Sequence, residues 1–131
     1  MSKRLQRRNR QVQPEELAVL EVARLLERLP SDLRKKARVI PVTFEIVPTP
    51  EMIADGIAPD TLGLFVGEEL AHSGASGEVL PAQILIFIGN LWDFAEADDV
   101  VFRREVRKTV LHELGHYLGL DEAELETRQL D

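Results

Sequence analysis

The spacing of apolar residues changes twice along this 131-residue chain, and no other feature constrains its fold as strongly. Apolar side chains recur every three or four residues after Pro14 and again after Asp98, which is typical of amphipathic helices. Between these segments, β-branched and aromatic residues are concentrated in three short stretches: Val42–Val47, Leu62–Val66 and Ala82–Ile88. Such stretches are typical of strands. The pattern predicts an α+β fold with about three strands between an N-terminal and a C-terminal helix.

The first helix is predicted to begin at Pro14. Proline is tolerated in the first helical turn, and the carboxylates of Glu15 and Glu16 stabilise the positive end of the helix dipole. Its apolar stripe is predicted to comprise Leu17, Leu20, Val22, Leu25, Leu26 and Leu29. A short helical turn is predicted for Ser31–Lys36, and one further turn for Met52–Ala54.

The C-terminal half has its own boundary signals. Ala82–Ile88 is the most apolar of the three strands, so we expect it inside the sheet. Asn90–Glu96 is predicted to be irregular. Asp98 or Asp99 is predicted to cap a helix that runs to about Leu118.

Composition limits the classes of function. The chain has no cysteine, which excludes disulfides and thiolate metal sites, so any metal must be bound by histidine and carboxylate. Aromatic residues make up only 5%, which disfavours a platform for stacking RNA bases. The longest apolar run, Ile84–Ile88, is too short to span a bilayer.

Charge divides the chain into two parts. Five of the 16 Lys and Arg residues fall in residues 1–13, which are predicted to form a disordered basic arm. Residues 14–131 are predicted to form one domain, and they carry 11 Lys and Arg against 23 Asp and Glu. Because this acidic part repels phosphate, we expect no nucleic-acid partner and no membrane. The arm has no hydrophobic signal segment, so a cytoplasmic location is predicted.

The candidate catalytic motif is His112-Glu113-Leu114-Gly115-His116, in the predicted C-terminal helix. Residues four apart lie about one turn apart, so both imidazoles project from the same face and can bind one Zn²⁺ ion. Glu113 lies about 100° round the helix, where its carboxylate can accept a proton from water without being a ligand. The spacing therefore predicts His112 and His116 as metal ligands and Glu113 as the catalytic general base.

A third ligand is expected shortly after the helix. Gly119 is predicted to end the helix in a left-handed conformation, so that the chain turns back towards the two histidines. In the extended form of the motif the third ligand lies ten residues after the first histidine, which corresponds to Glu122. Asp121, one residue earlier, is the alternative.

The segment Thr109–Glu122, together with Leu62–Gly67 and Leu80–Phe87, resembles the minimal zincin-like metallopeptidase family of small bacterial proteins, formerly classed as a domain of unknown function. The resemblance covers roughly residues 15–126, although only the helix motif is specific. It implies a small mixed sheet packed on the motif-bearing helix, and an acidic third ligand, Glu122, where metzincins place a third histidine.

These features predict a zinc-dependent metallopeptidase that hydrolyses peptide bonds in a peptide or protein substrate, with zinc activating water and Glu113 as the base. True metzincins have a methionine turn after the third ligand, but here Met1 and Met52 both precede the motif. Only nine residues follow Glu122, so a shallow, exposed site is expected. The alternative is a zinc-binding protein without physiological protease activity that acts as a partner-binding module.

Four other residues have less specific interpretations. His72 lies in a Gly- and Ser-rich segment and is interpreted as an exposed loop histidine. Tyr117 is interpreted as a packing residue because it points away from the two histidines round the helix. Trp92 and Phe94 are interpreted as loop anchors.

Overall fold

A computed structural model describes residues 13–67, 82–120 and 123–124. The described elements are α1 (Pro14–Arg28), α2 (Ser31–Ala37), β1 (Val42–Glu45), α3 (Pro50–Ala54), β2 (Gly63–Val66), β3 (Gln83–Phe87), α4 (Ile88–Phe94) and α5 (Asp99–Leu118). The α+β prediction is confirmed. Except for Gln13, the predicted basic arm lies outside the described residues. No helix within the described residues has the length and apolar content needed to cross a membrane.

The described strands form a mixed sheet in the order β1-β3-β2. β1 is parallel to β3, with Val42 opposite Ile84, and β2 is antiparallel to β3, with Leu64 opposite Leu85. The continuous apolar sequence of β3 is explained by this central position, because four of its five residues are buried. The prediction that this strand lies inside the sheet is therefore confirmed, and β2 is an edge strand of the described sheet.

Helix α5 contacts β2, β3, α4 and α1, so it is covered on several sides by the rest of the fold. Its buried residues include Phe102, Val106, Val110 and Leu114, which join the main hydrophobic cluster. The last three of these recur every four residues, and Leu118, the next residue at that spacing, is only partly buried. The helix that carries the motif is thus held by the core rather than projecting from it.

Helix α1 packs on α5, and most of its predicted stripe is confirmed: Val22, Leu25 and Leu29 are buried, and Leu17 and Leu26 are partly buried against the core. Its buried residues are Ala18, Glu21, Val22 and Leu25, which recur at helical spacing. Leu20, a member of the predicted stripe, lies off this face and is 51% exposed. Glu21 is buried because its Oε2 lies 3.2 Å from Nη1 of Arg107 on α5, and this ion pair was not foreseen.

The prediction of an irregular Asn90–Glu96 stretch is wrong, because Ile88–Phe94 forms helix α4. Ile88, Leu91 and Ala95 are buried at helical spacing, and their packing against the core outweighs the weak helix propensity of the Gly-Asn pair. The helix ends at Phe94, and the following Glu96 and Ala97 have positive φ values of 54° and 60°.

Candidate metal centre

The motif lies in the last two turns of α5, and both ends of this helix are capped. The Oδ1 atom of Asp98 accepts a hydrogen bond from the Val101 amide at 3.0 Å, which confirms the predicted N-cap. Gly119 has φ of 73°, in the left-handed region that glycine adopts without strain. The Leu120 amide then donates to the Gly115 carbonyl at 2.8 Å, so the predicted C-terminal turn is present.

The two imidazoles of the motif lie side by side on one face of α5. The ring centroids of His112 and His116 are 4.7 Å apart, with the ring planes inclined at 59°. Their side chains are 48% and 51% exposed. Two imidazoles that share one tetrahedral zinc ion, with Zn–N bonds of about 2.0–2.1 Å, have centroids about 5 Å apart. The observed separation therefore fits a shared ion.

Glu113 lies between the two imidazoles, but unlike them it is buried, with only 8% of the residue exposed. Its Oε1 atom is 3.6 Å from Nδ1 of His116, and its Oε2 atom is 3.9 Å from Nε2 of His112. The same Oε1 accepts a hydrogen bond from the backbone N–H of Phe65 at 2.9 Å. A buried carboxylate needs such a partner.

Strand β2 supplies this partner because it lies very close to α5. A Cβ atom added at Gly63 would clash with Cγ2 of Thr109, and it would also lie 3.3 Å from the Leu85 carbonyl oxygen. Only glycine fits there unless the strand, the helix or the Thr109 side chain shifts. Sequence reasoning identified neither Gly63 nor the Phe65 amide as part of the site, and a glycine inside a strand was the only available signal.

A cavity of about 290 Å³ lies beside the motif and is lined by Leu62, Gly63, Lys108, Thr109, His112 and Glu113. Leu62 also lines a second cavity, of about 450 Å³, whose other lining residues are Asp60, Asn90, Asp93 and Phe94. The imidazole of His112 and the carboxylate of Glu113 thus face a surface depression that runs beside the N-terminal end of β2.

The third ligand predicted from the sequence, Glu122, and its alternative, Asp121, both lie outside the described residues. Among the residues that are described, no group of three or more histidine or acidic side chains has an arrangement that could hold a metal ion. The described part of the site therefore brings together His112, Glu113 and His116, and the third ligand stays a prediction.

The four residues with less specific interpretations differ in how the structure bears on them. Tyr117 is buried and its ring centroid lies 5.9 Å from that of Phe65, as expected for a packing residue. Trp92 packs edge-on against Phe102 at 5.2 Å, but Phe94 is 58% exposed, so its interpretation as an anchor is wrong. His72 lies outside the described residues.

Comparison with known proteins agrees with this arrangement. Residues 37–131 match the model of a family described as zincin-like metallopeptidase. The match includes all three strands, the motif and the segment that follows it. No curated protein matches the chain.

Proposed function

The chain belongs to the zincin-like metallopeptidase family, and from this premise we propose that it is a zinc-dependent peptidase whose zinc is bound by His112, His116 and Glu122. One observation carries the proposal. The buried carboxylate of Glu113 lies within 4 Å of ring nitrogens of both imidazoles, so a proton acceptor and two metal donors lie close together on α5.

The metal donors are suited to zinc, because imidazole and carboxylate are its ligands where cysteine is absent. His112, His116 and Glu122 would hold the zinc as its protein ligands. The acidic third ligand makes the site differ from a three-histidine site. Three protein ligands rather than four are typical of catalytic zinc sites.

Zinc at this site supplies Lewis acidity, which acidifies water and polarises the carbonyl of the bond to be cleaved. The Glu113 carboxylate accepts a proton as the water oxygen attacks the carbonyl carbon. It then donates this proton to the amine nitrogen as the C–N bond breaks, and it returns to its ionised form. The hydrogen bond from the Phe65 amide suits it to this role, because it restrains the orientation of the carboxylate.

The substrate is a peptide or protein whose extended backbone would pair with outward-facing groups of β2 other than the Phe65 amide, which already donates to Glu113. Two strands of the described sheet lie at edges, β1 and β2, and β2 is the one beside the motif. Peptides bind exposed sheet edges through backbone hydrogen bonds. β3 is central in the described sheet and has no free edge, so it is not a candidate for this role.

Metal content provides the first test of the proposal. We expect one zinc ion per chain in full-length protein prepared without chelator and without a histidine tag, because the donor set satisfies three tetrahedral positions. Elemental analysis measures the ratio. Zinc far below one per chain that does not rise on reconstitution near neutral pH contradicts the proposal. Cleavage of a broad peptide library that is lost on chelation and recovered with zinc supports it.

The third ligand is tested by comparing Glu122→Ala with Asp121→Ala. We expect the Glu122 variant to lose more zinc affinity, by at least about tenfold, because the ten-residue offset from His112 places its carboxylate at the metal once the chain turns at Gly119. Competition with a zinc chelator measures both affinities. A larger loss in Asp121→Ala identifies Asp121 as the ligand instead.

A further inference from the structure

The backbone N–H of Phe65 is a donor that the sheet itself does not use. In an antiparallel pair, successive residues point their N–H and C=O groups alternately towards and away from the neighbouring strand. The Leu62 carbonyl accepts from the Phe87 amide at 2.9 Å, so Leu62 and Leu64 face β3. Phe65 therefore faces the outer edge of β2, where its N–H donates to Oε1 of Glu113.

Strand β2 follows one row of side chains along α5. Thr109, Glu113 and Tyr117 are four residues apart, so they lie on one face of the helix. Gly63 lies against Thr109, the Phe65 amide donates to Glu113, and the Phe65 ring packs near Tyr117. Two residues of a strand rise by about 6.7 Å and four residues of a helix by about 6 Å, so the two repeats remain in step.

The absence of a side chain at Gly63 sets the separation of the two elements. A methyl group there would meet Cγ2 of Thr109, and the clash is relieved either by rotation of the Thr109 side chain or by movement of β2 away from α5. The Phe65 amide lies two residues along the same strand, so it would move with it. The 2.9 Å hydrogen bond from the Phe65 amide to Glu113 would be greatly weakened if the donor moved away by about 1 Å.

We propose that Gly63 and Thr109 are positioning residues, whose close contact lets the Phe65 amide hold the Glu113 carboxylate between the two imidazoles. Oε1 is restrained by the amide, while Oε2, 3.9 Å from Nε2 of His112, stays available to accept a proton. The inference rests on the proposed function where it makes Glu113 the general base. The contact itself is testable without any substrate.

Amide hydrogen exchange of full-length protein, followed residue by residue by NMR at matched zinc content, tests the contact. The reference is the Ile84 amide, which donates to the Pro41 carbonyl within the sheet. In Glu113→Ala we expect the Phe65 amide to exchange at least about tenfold faster relative to Ile84, because a hydrogen bond to a charged acceptor is lost. An unchanged ratio overturns the proposal.

The Gly63–Thr109 contact is tested by compensation. Gly63→Ala should accelerate Phe65 exchange by at least about tenfold, and adding Thr109→Ser, which removes Cγ2, should restore most of the protection. Gly89→Ala is the matched control, because its added Cβ would lie 2.7 Å from the Ile46 carbonyl oxygen, away from α5. It should leave the Phe65 ratio unchanged. Absence of rescue by Thr109→Ser overturns the role of the contact.

Two further arms keep the test decisive. If Gly63→Ala fails to fold, Thr109→Ile adds volume to the same contact from the helix side and should accelerate Phe65 exchange in its place. With a cleavable peptide, Gly63→Ala should lower kcat by at least about tenfold with little change in KM, and Thr109→Ser should rescue it. If Glu113 protects the Phe65 amide but the protein cleaves no peptide, the contact is supported, and only the proposed peptidase function is contradicted.

Discussion

Replacing Glu113 by glutamine is expected to lower kcat/KM for any cleaved peptide by at least about 100-fold, the low end of a general-base contribution. The amide has almost the same shape as the carboxylate, and its oxygen can still accept from the Phe65 amide, so the site keeps its geometry. What is lost is the ability to take a proton from water. Zinc content is expected to stay at the wild-type level, because Glu113 is not proposed as a ligand.

Glu105→Gln is the matched control, because it makes the same change in another buried carboxylate of α5, eight residues before Glu113. Glu105 lies about two helical turns before Glu113, and its Oε2 is 3.6 Å from Nε of Arg104 and 4.0 Å from Nζ of Lys108. Its variant should retain activity within a few-fold. Equal cleavage by wild type and Glu113→Gln identifies a contaminating protease. No cleavage by either protein, with zinc bound, favours the zinc-containing partner-binding module.

The parts of the site that were predictable are those whose chemistry is local in sequence. The spacing of His112 and His116 already places both rings on one helix face, since a helix has a fixed period. Gly119 signals the end of that helix through its own conformational freedom, and the structure shows the left-handed turn. Asp98 likewise caps the helix start through a bond to a residue three positions away.

The part of the site that was not predictable depends on long-range packing. Phe65 contributes a backbone amide, a group that every residue except proline carries, so its side chain gives no hint of this role. The bond joins residues 48 positions apart. Gly63 is informative only once β2 is known to lie against Thr109, because a glycine inside a strand has several explanations.

Two errors in the predicted fold have the same origin. The exposed Leu20 was assigned to the buried face of α1, and the buried Glu21 was not, because the Glu21–Arg107 pair forms only when α1 meets α5. Helix α4 was missed because Gly89 and Asn90 are weak helix formers. Burial of Leu91 against the core decides its conformation instead, and a single sequence does not show this.

Loss of either imidazole is expected to weaken zinc binding more than loss of a group that only orients a ligand. His112→Ala and His116→Ala each take away one of three protein ligands, and the two rings lie 4.7 Å apart with no other histidine nearby among the described residues. Loss of a group that merely orients a ligand costs about 10–100-fold in affinity. Loss of the ligand itself should cost more than about 100-fold.

The third histidine provides the control for this measurement. His72→Ala should bind zinc as tightly as wild type, since residue 72 precedes the motif by 40 positions and is interpreted as a loop histidine. Chelator competition on the three variants, with folding checked by circular dichroism, decides the assignment. Equal weakening in all three would show that zinc binds histidines without a defined site. Full retention in His116→Ala would contradict the metal centre on α5, because the second donor would then come from elsewhere in the chain.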